Sequence, residues 1–129
     1  MAGVGTSMVG SNDIEKAKAF YDALLPTLGM QGVMEHPSGG RIYGGGSGAM
    51  FAVVRPFDGG GATPGNGTMT AFLCDSREQA AEFHAKALAL GAKDEGAPGP
   101  RGGDDSPVYA AYARDLDGNK FSALHFRQG

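Results

Sequence analysis

The sequence predicts an α+β fold of two tandem βαβββ modules, their strands curled as a mixed sheet around a cleft with the helices outside. Three observations carry that expectation. Two amphipathic helices repeat one another, a strand-like run precedes each and three follow it, and a glycine-rich stretch separates the halves. A four-stranded unit with one helix leaves a sheet face uncovered, so each half needs the other.

In chain order, "GTSMVGS" opens module one, residues 1–56, as a strand. Asp13 caps the first helix, "IEKAKAFYDALLPTLG", whose buried stripe is Ala17, Phe20, Leu24 and Leu28 at helical spacing. Pro26 shortens its last turn and Gly29 ends it. Strands are expected over 30–35, 40–44 and 49–55. The linker, 57–66, lies within the flexible "PFDGGGATPGNG". Module two, 67–129, repeats the order: "GTMTAFLCD", then a helix capped by Ser76 that buries Ala80, Phe83, Ala87 and Leu90 and stops at Gly91. Strands over 92–95, 108–114 and 120–126 complete it. Ala17, Phe20 and Leu25 each recur 63 positions later, as Ala80, Phe83 and Leu88. Asp117, Gly118 and Asn119 make the last hairpin turn, Gly and Asn being the residues that tolerate positive φ. Beyond it, Phe121, Ala123 and His125 share one face, while Ser122, Leu124 and Phe126 share the other.

Composition narrows the function. The 129 residues suit one domain, and 41% hydrophobic content is ordinary for a packed core. A net charge of −3 without a Lys/Arg cluster argues against nucleic acid. No apolar run reaches membrane-spanning length, and the N-terminus lacks a signal core. Cys74 is alone, so a reducing cytoplasm is the expected location. The 23 glycines follow no period and include no nucleotide loop: "GGGSG" from Gly44 reads as a hairpin turn and "GGGATPGNG" as linker.

Three stretches carry a resemblance: "NDIEKAKAFYDALLPTLG", "SREQAAEFHAKALALGAKDEGAPGPR" and "YAAYARDLDGNKFSAL". They resemble the vicinal oxygen chelate superfamily, which includes glyoxalase I, bleomycin-resistance proteins and extradiol dioxygenases. The resemblance implies a cleft between modules and, in metal-dependent members, ligands at the starts of the pre-helix strands and on the final strands. Those positions fall here on Thr6, Met69 and Ser122, with Phe51 as the fourth-strand equivalent. None suits a divalent ion that favours imidazole and carboxylate donors, so no metal and no cofactor are expected.

Other chemistry has less support. His36 reads as a loop residue, His84 as a helix-flank residue and His125 as a core or edge residue. Glu35, Asp94 and Glu95 lie near strand ends, and Asp115 and Asp117 belong to the turn. Ser7, Ser11 and Ser122 have no nucleophile motif around them. Cys74 shares the Phe72 face and reads as structural. The remaining candidate is a cleft lined by Thr6, Met8, Phe51, Val53, Met69, Ala71, Ser122 and Leu124, with Arg41 and Tyr43 on a neighbouring strand face. Only one of Tyr109 and Tyr112 can reach it. The loop 94–107 is expected to cover the cleft, with Arg101 as its cationic handle. The expectation is a metal-free protein that binds a small apolar or mixed-polarity molecule, as a homodimer. The alternative is a lyase or dioxygenase of the same superfamily with a nonstandard site.

Overall fold

The computed structural model describes residues 2–45 and 48–127. The turn expected around Gly46 and Ser47 lies outside the described residues. The elements are β1 (Thr6–Gly10), α1 (Ile14–Leu24), β2 (Gln31–Glu35), β3 (Arg41–Gly44), β4 (Met50–Val54), β5 (Thr70–Leu73), α2 (Arg77–Ala89), β6 (Lys93–Pro100), β7 (Val108–Arg114) and β8 (Lys120–Phe126). Each module forms its own four-stranded mixed sheet, in the orders β1-β4-β3-β2 and β5-β8-β7-β6. In both, the strand before the helix runs parallel to the last strand, and the other pairs are antiparallel.

Local chemistry sets the helix ends. The Asp13 carboxylate accepts from Lys16 N, and the Ser76 hydroxyl accepts from Gln79 N, each satisfying an amide that the first turn leaves open. Pro26 cannot donate to a helical bond, so after Leu24 the chain tightens into a 3-10 turn over Leu25–Leu28. It leaves through Gly29 at φ 75°.

Both helices bury one stripe against their sheets. Ile14, Ala17, Phe20, Tyr21 and Leu24 are buried in α1, and Ala80, Phe83, His84 and Ala87 in α2. His84 is thus a core neighbour rather than a flank residue. Its ring reaches Asp94 on β6, Nε2 to Oδ1 3.1 Å. Aromatic contacts join the modules into one core. Phe51 of the first sheet lies 5.2 Å from Phe72 of the second, centroid to centroid, and Phe20 of α1 lies 6.5 Å from Phe121.

The β7–β8 turn fastens the modules together. Its Gly118 has φ 87°, whereas Asn119 keeps negative φ and serves through its side chain. Asn119 Nδ2 donates to Gly10 O at 2.9 Å, and Asp117 Oδ1 accepts from Asn12 N at 2.8 Å. The buried Asp115 carboxylate accepts from Tyr21 Oη at 2.5 Å, from Asn119 Nδ2, and from the amides of Asp117 and Asn119. Burial raises the Asp115 carboxyl above its usual range despite these donors.

One strand is longer than expected. Residues 94–100, expected to begin a loop, belong to β6, which pairs with β7 through two register shifts around Gly96. Pro98 and Pro100 fit because β6 is an edge strand, where a missing amide breaks no ladder on the open side.

Candidate ligand-binding site

Strand register decides which side chains face the helices and which face the open side of each sheet. Ser7 pairs with Phe51, Tyr43 with Phe51 and Arg41 with Val53. Paired residues share a face, and Phe51, Tyr43 and Val53 are buried in the helix-packed core. Phe51, Val53, Arg41 and Tyr43 therefore do not share the face of Ser122, contrary to expectation. Arg41 and Tyr43 instead fasten α1 to β3. The Arg41 guanidinium contacts Asp22 and donates to Glu35 Oε1 at 2.8 Å, and the Tyr43 hydroxyl donates to Asp22 Oδ1 at 2.8 Å. Burial, then the Asp22 contact, pushes the Tyr43 phenol well above its usual range.

The other predicted residues do stand on the open faces. Thr6 and Met8 pair with Met50 and Ala52 on the first sheet. Ser122 pairs with Ala71 and Leu124 with Leu73 on the second, on the side opposite Phe121 and Ala123. Tyr112 pairs with Ser122 and so takes the open face, while Tyr109 pairs with His125 on the helix side, where the Arg77 guanidinium sits 5.0 Å from its ring. Exposed Met8, Met50, Met69, Leu73 and Phe126 make these faces apolar.

The repeat also corrects the fourth-strand position. Ser7 pairs with Phe51 as Thr70 pairs with Phe121, so Ala52 is the counterpart of Ser122. The positions that would hold a metal are then Thr6, Ala52, Met69 and Ser122: two hydroxyls, a methyl and a thioether. Such a set does not fit a catalytic zinc, nickel, manganese or iron, which needs imidazole and carboxylate donors. Among the described residues no cluster of three or more His, Cys, Asp or Glu could take its place.

Two cavities flank the approach of the edge strands β1 and β5, which meet where Ser7 Oγ lies 2.7 Å from Thr70 Oγ1. The larger, about 1010 Å³, runs along β5 and touches Phe51, Met69, Leu73, Cys74, His125 and Phe126, so Phe51 borders it although it packs on the helix side. The smaller, about 310 Å³, runs along β1 and brings Met8 and Met69 together beside Pro64 of the linker. Ser122 and Leu124 line neither. Burial pushes the Cys74 thiol up to about 11, so at neutral pH it is not a nucleophile. His125 Nδ1 lies 3.0 Å from Cys74 O, and His36 Nδ1 lies 2.9 Å from Ser38 Oγ in its turn. Two elements escaped the sequence reading, Ala52 and the length of β6, while the choice between Tyr109 and Tyr112, left open there, falls to Tyr112. An alanine within an unbroken apolar run gives no signal by itself.

These features define a paired-βαβββ protein with an apolar open face and no chelating set at the expected positions. The model of the Glyoxalase/Bleomycin resistance protein/Dioxygenase superfamily matches residues 3–122, and the chain belongs to that superfamily. It is 43% identical to a glyoxalase/bleomycin resistance protein from Albidiferax ferrireducens T118, with TM-score 0.82, covering 94% of this chain and 96% of that one. A glyoxalase/bleomycin resistance protein/dioxygenase family enzyme from Burkholderia phytofirmans PsJN shares the fold at 19% identity, with TM-score 0.74 over 97% of this chain and 99% of that one. Lactoylglutathione lyase from Agrobacterium tumefaciens does so at 17% identity, with TM-score 0.68 over 97% and 94%. No curated protein matches the chain.

Proposed function

We propose that the protein binds a small apolar or mixed-polarity molecule on the open face of its sheets, without a metal. The observation that supports this reading is the exposure of Met8, Met69, Leu73 and Phe126 beside the small residues Ala71 and Ser122. Flexible thioethers and an aromatic ring adapt to irregular apolar ligands, and exposed apolar surface that nothing uses is a liability. The donor set at Thr6, Ala52, Met69 and Ser122 weighs against a metal-dependent lyase or dioxygenase.

Fluorescence titration with the neutral apolar probe N-phenyl-1-naphthylamine tests binding, and melting with and without Zn²⁺ or Ni²⁺ tests the metal. Saturable binding weakened by Met69→Glu, with melting indifferent to either ion, is expected. Absence of probe binding, or stoichiometric metal retained through purification without a chelating column, would overturn the reading.

A further inference from the structure

The open face of the second sheet carries an arrangement of charge that the apolar surface does not explain. Lys93 pairs with Arg114 across β6 and β7, and Arg114 pairs with Lys120 across β7 and β8, so three cations stand in one cross-strand row. Like charges directly opposite one another destabilise a sheet. The chain as a whole is acidic, with net charge −3, so this row does not reflect general basicity. One carboxylate answers it: Glu95 Oε1 accepts from Arg114 Nε at 2.5 Å.

A fourth cation is brought in from outside the row. Arg101 folds back over β6, donating to the carbonyls of Ala97 at 2.7 Å and Gly99 at 3.0 Å. Its guanidinium carbon lies 5.2 Å from the centre of the Tyr112 ring, and Lys120 Nζ lies 5.3 Å from the same centre. Gly96 makes the approach possible, because a Cβ there would fall 2.9 Å from Tyr112 Cδ2 and 3.4 Å from an Arg101 terminal nitrogen. Among the described residues neither Arg101 nor Lys120 has a carboxylate partner. Backbone carbonyls hold Arg101 and a ring face borders both cations, and neither makes an ion pair among the described residues.

Next to this pair lies a buried polar group. Ser122, the strand partner of Tyr112, is 1% exposed, and its hydroxyl has no hydrogen-bond partner among the described residues. A buried hydroxyl left unpaired is costly, and Ser122 lines neither cavity, so it backs the row between Tyr112 and Ala71 without itself being a ligand contact. Tyr112, Ser122 and Ala71 are consecutive partners across β7, β8 and β5, and Ala71 lies between Met69 and Leu73. At the usual strand spacing, the row from the cations to the methionine side spans about 10 Å.

We infer that the ligand is an organic anion, its carboxylate, phosphate or sulfonate held by Arg101 and Lys120 beside Tyr112, and its apolar body laid over Ala71 toward Met69 and Leu73. This rests on the open-face binding proposed above and adds the charge of the ligand to it. Both cations border the same ring, and the planar guanidinium fork of Arg101, already fixed in place, can meet two oxygens of one oxyanion.

The test compares two probes of nearly the same ring system, anionic 8-anilino-1-naphthalenesulfonate and neutral N-phenyl-1-naphthylamine. The anion should bind about tenfold more tightly, and its advantage should shrink as salt rises. Arg101→Gln and Lys120→Gln should each weaken the anion about three- to tenfold and leave the neutral probe unchanged. Lys120→Arg should restore it. Equal affinity for the two probes, or glutamine variants that leave the preference intact, overturns the inference while open-face binding stands. Failure of both probes overturns open-face binding itself. Should Arg101→Gln not fold, Lys120→Gln decides alone, since Lys120 Nζ makes no ion pair among the described residues.

Discussion

At the scale of single residues, Phe51 and Met8 divide by a one-residue step in register. Phe51 is 2% exposed and touches the rings of Tyr21, Tyr43 and Phe72. Met8 is 53% exposed on the opposite side of the same sheet. Phe51→Ala should cost about 3–5 kcal/mol in a urea melt, the range for emptying a core aromatic site. Met8→Ala should change stability by no more than about 0.5 kcal/mol. Phe51 also borders the larger cavity, so a cost as small as that of Met8→Ala would show that it serves the cavity rather than the core. The sequence could not separate these roles because "MFAVV" is apolar throughout, and a strand without polar alternation gives no parity. Ser122 was legible for the opposite reason. The turn at Gly118 fixes where β8 begins, and strand parity counted from there sets Ser122 opposite Phe121 and Ala123. The Arg41 and Tyr43 assignments failed with Phe51, since β3 takes its face from its pairing with β4.

At the scale of elements, caps and turns were the most readable features, because a Ser or Asp before an amphipathic stripe has one common physical use. What the sequence concealed was the tertiary use of the same residues. Asp115 was legible as a turn aspartate, yet it also receives the phenol of Tyr21 from the other module. Burial, followed by the Asp115 charge, holds the Tyr21 phenol well above its ordinary 10.0. The folded state therefore keeps this proton after the unfolded chain has released it. Stability is fully present below about pH 10 and falls as pH rises further, by up to about 1.4 kcal/mol per pH unit for one such group. Tyr43, also raised, contributes with the same sign. Tyr21→Phe should cost about 1 kcal/mol at neutral pH and flatten the alkaline decline. Denaturant midpoints from pH 8 to 11 check this, and an unchanged alkaline slope in Tyr21→Phe would show that the phenol does not carry it. The far part of β6, beyond Glu95, stayed hidden because its Gly and Pro content is that of a loop, and pairing with β7 prevails over that local preference.

At the scale of the whole molecule, the two halves are alike in topology and unlike in how their edges are covered. Along β1, the linker closes in: Ala62 N donates to Asn12 Oδ1 at 2.7 Å, and Asn12 Nδ2 donates to Ala62 O at 3.0 Å. A Cβ on Gly10 would meet Ala62 Cβ at 2.9 Å. The cavity left there is about 310 Å³, against about 1010 Å³ along β5, where Leu73 is 61% and Phe126 47% exposed. Exposed apolar side chains along one strand invite association, and a second copy of the chain is the partner always present. The expected state is a homodimer formed through the β5 side. Sedimentation at micromolar concentration should give twice the chain mass, and melting should rise with protein concentration. Leu73→Lys should shift the equilibrium to monomer and remove that concentration dependence, whereas the same charge placed near the linker, at exposed Thr63, should do neither. A wild-type chain that stays monomeric across this range would mean that Leu73 and Phe126 remain exposed for the ligand of the open face rather than for a second copy.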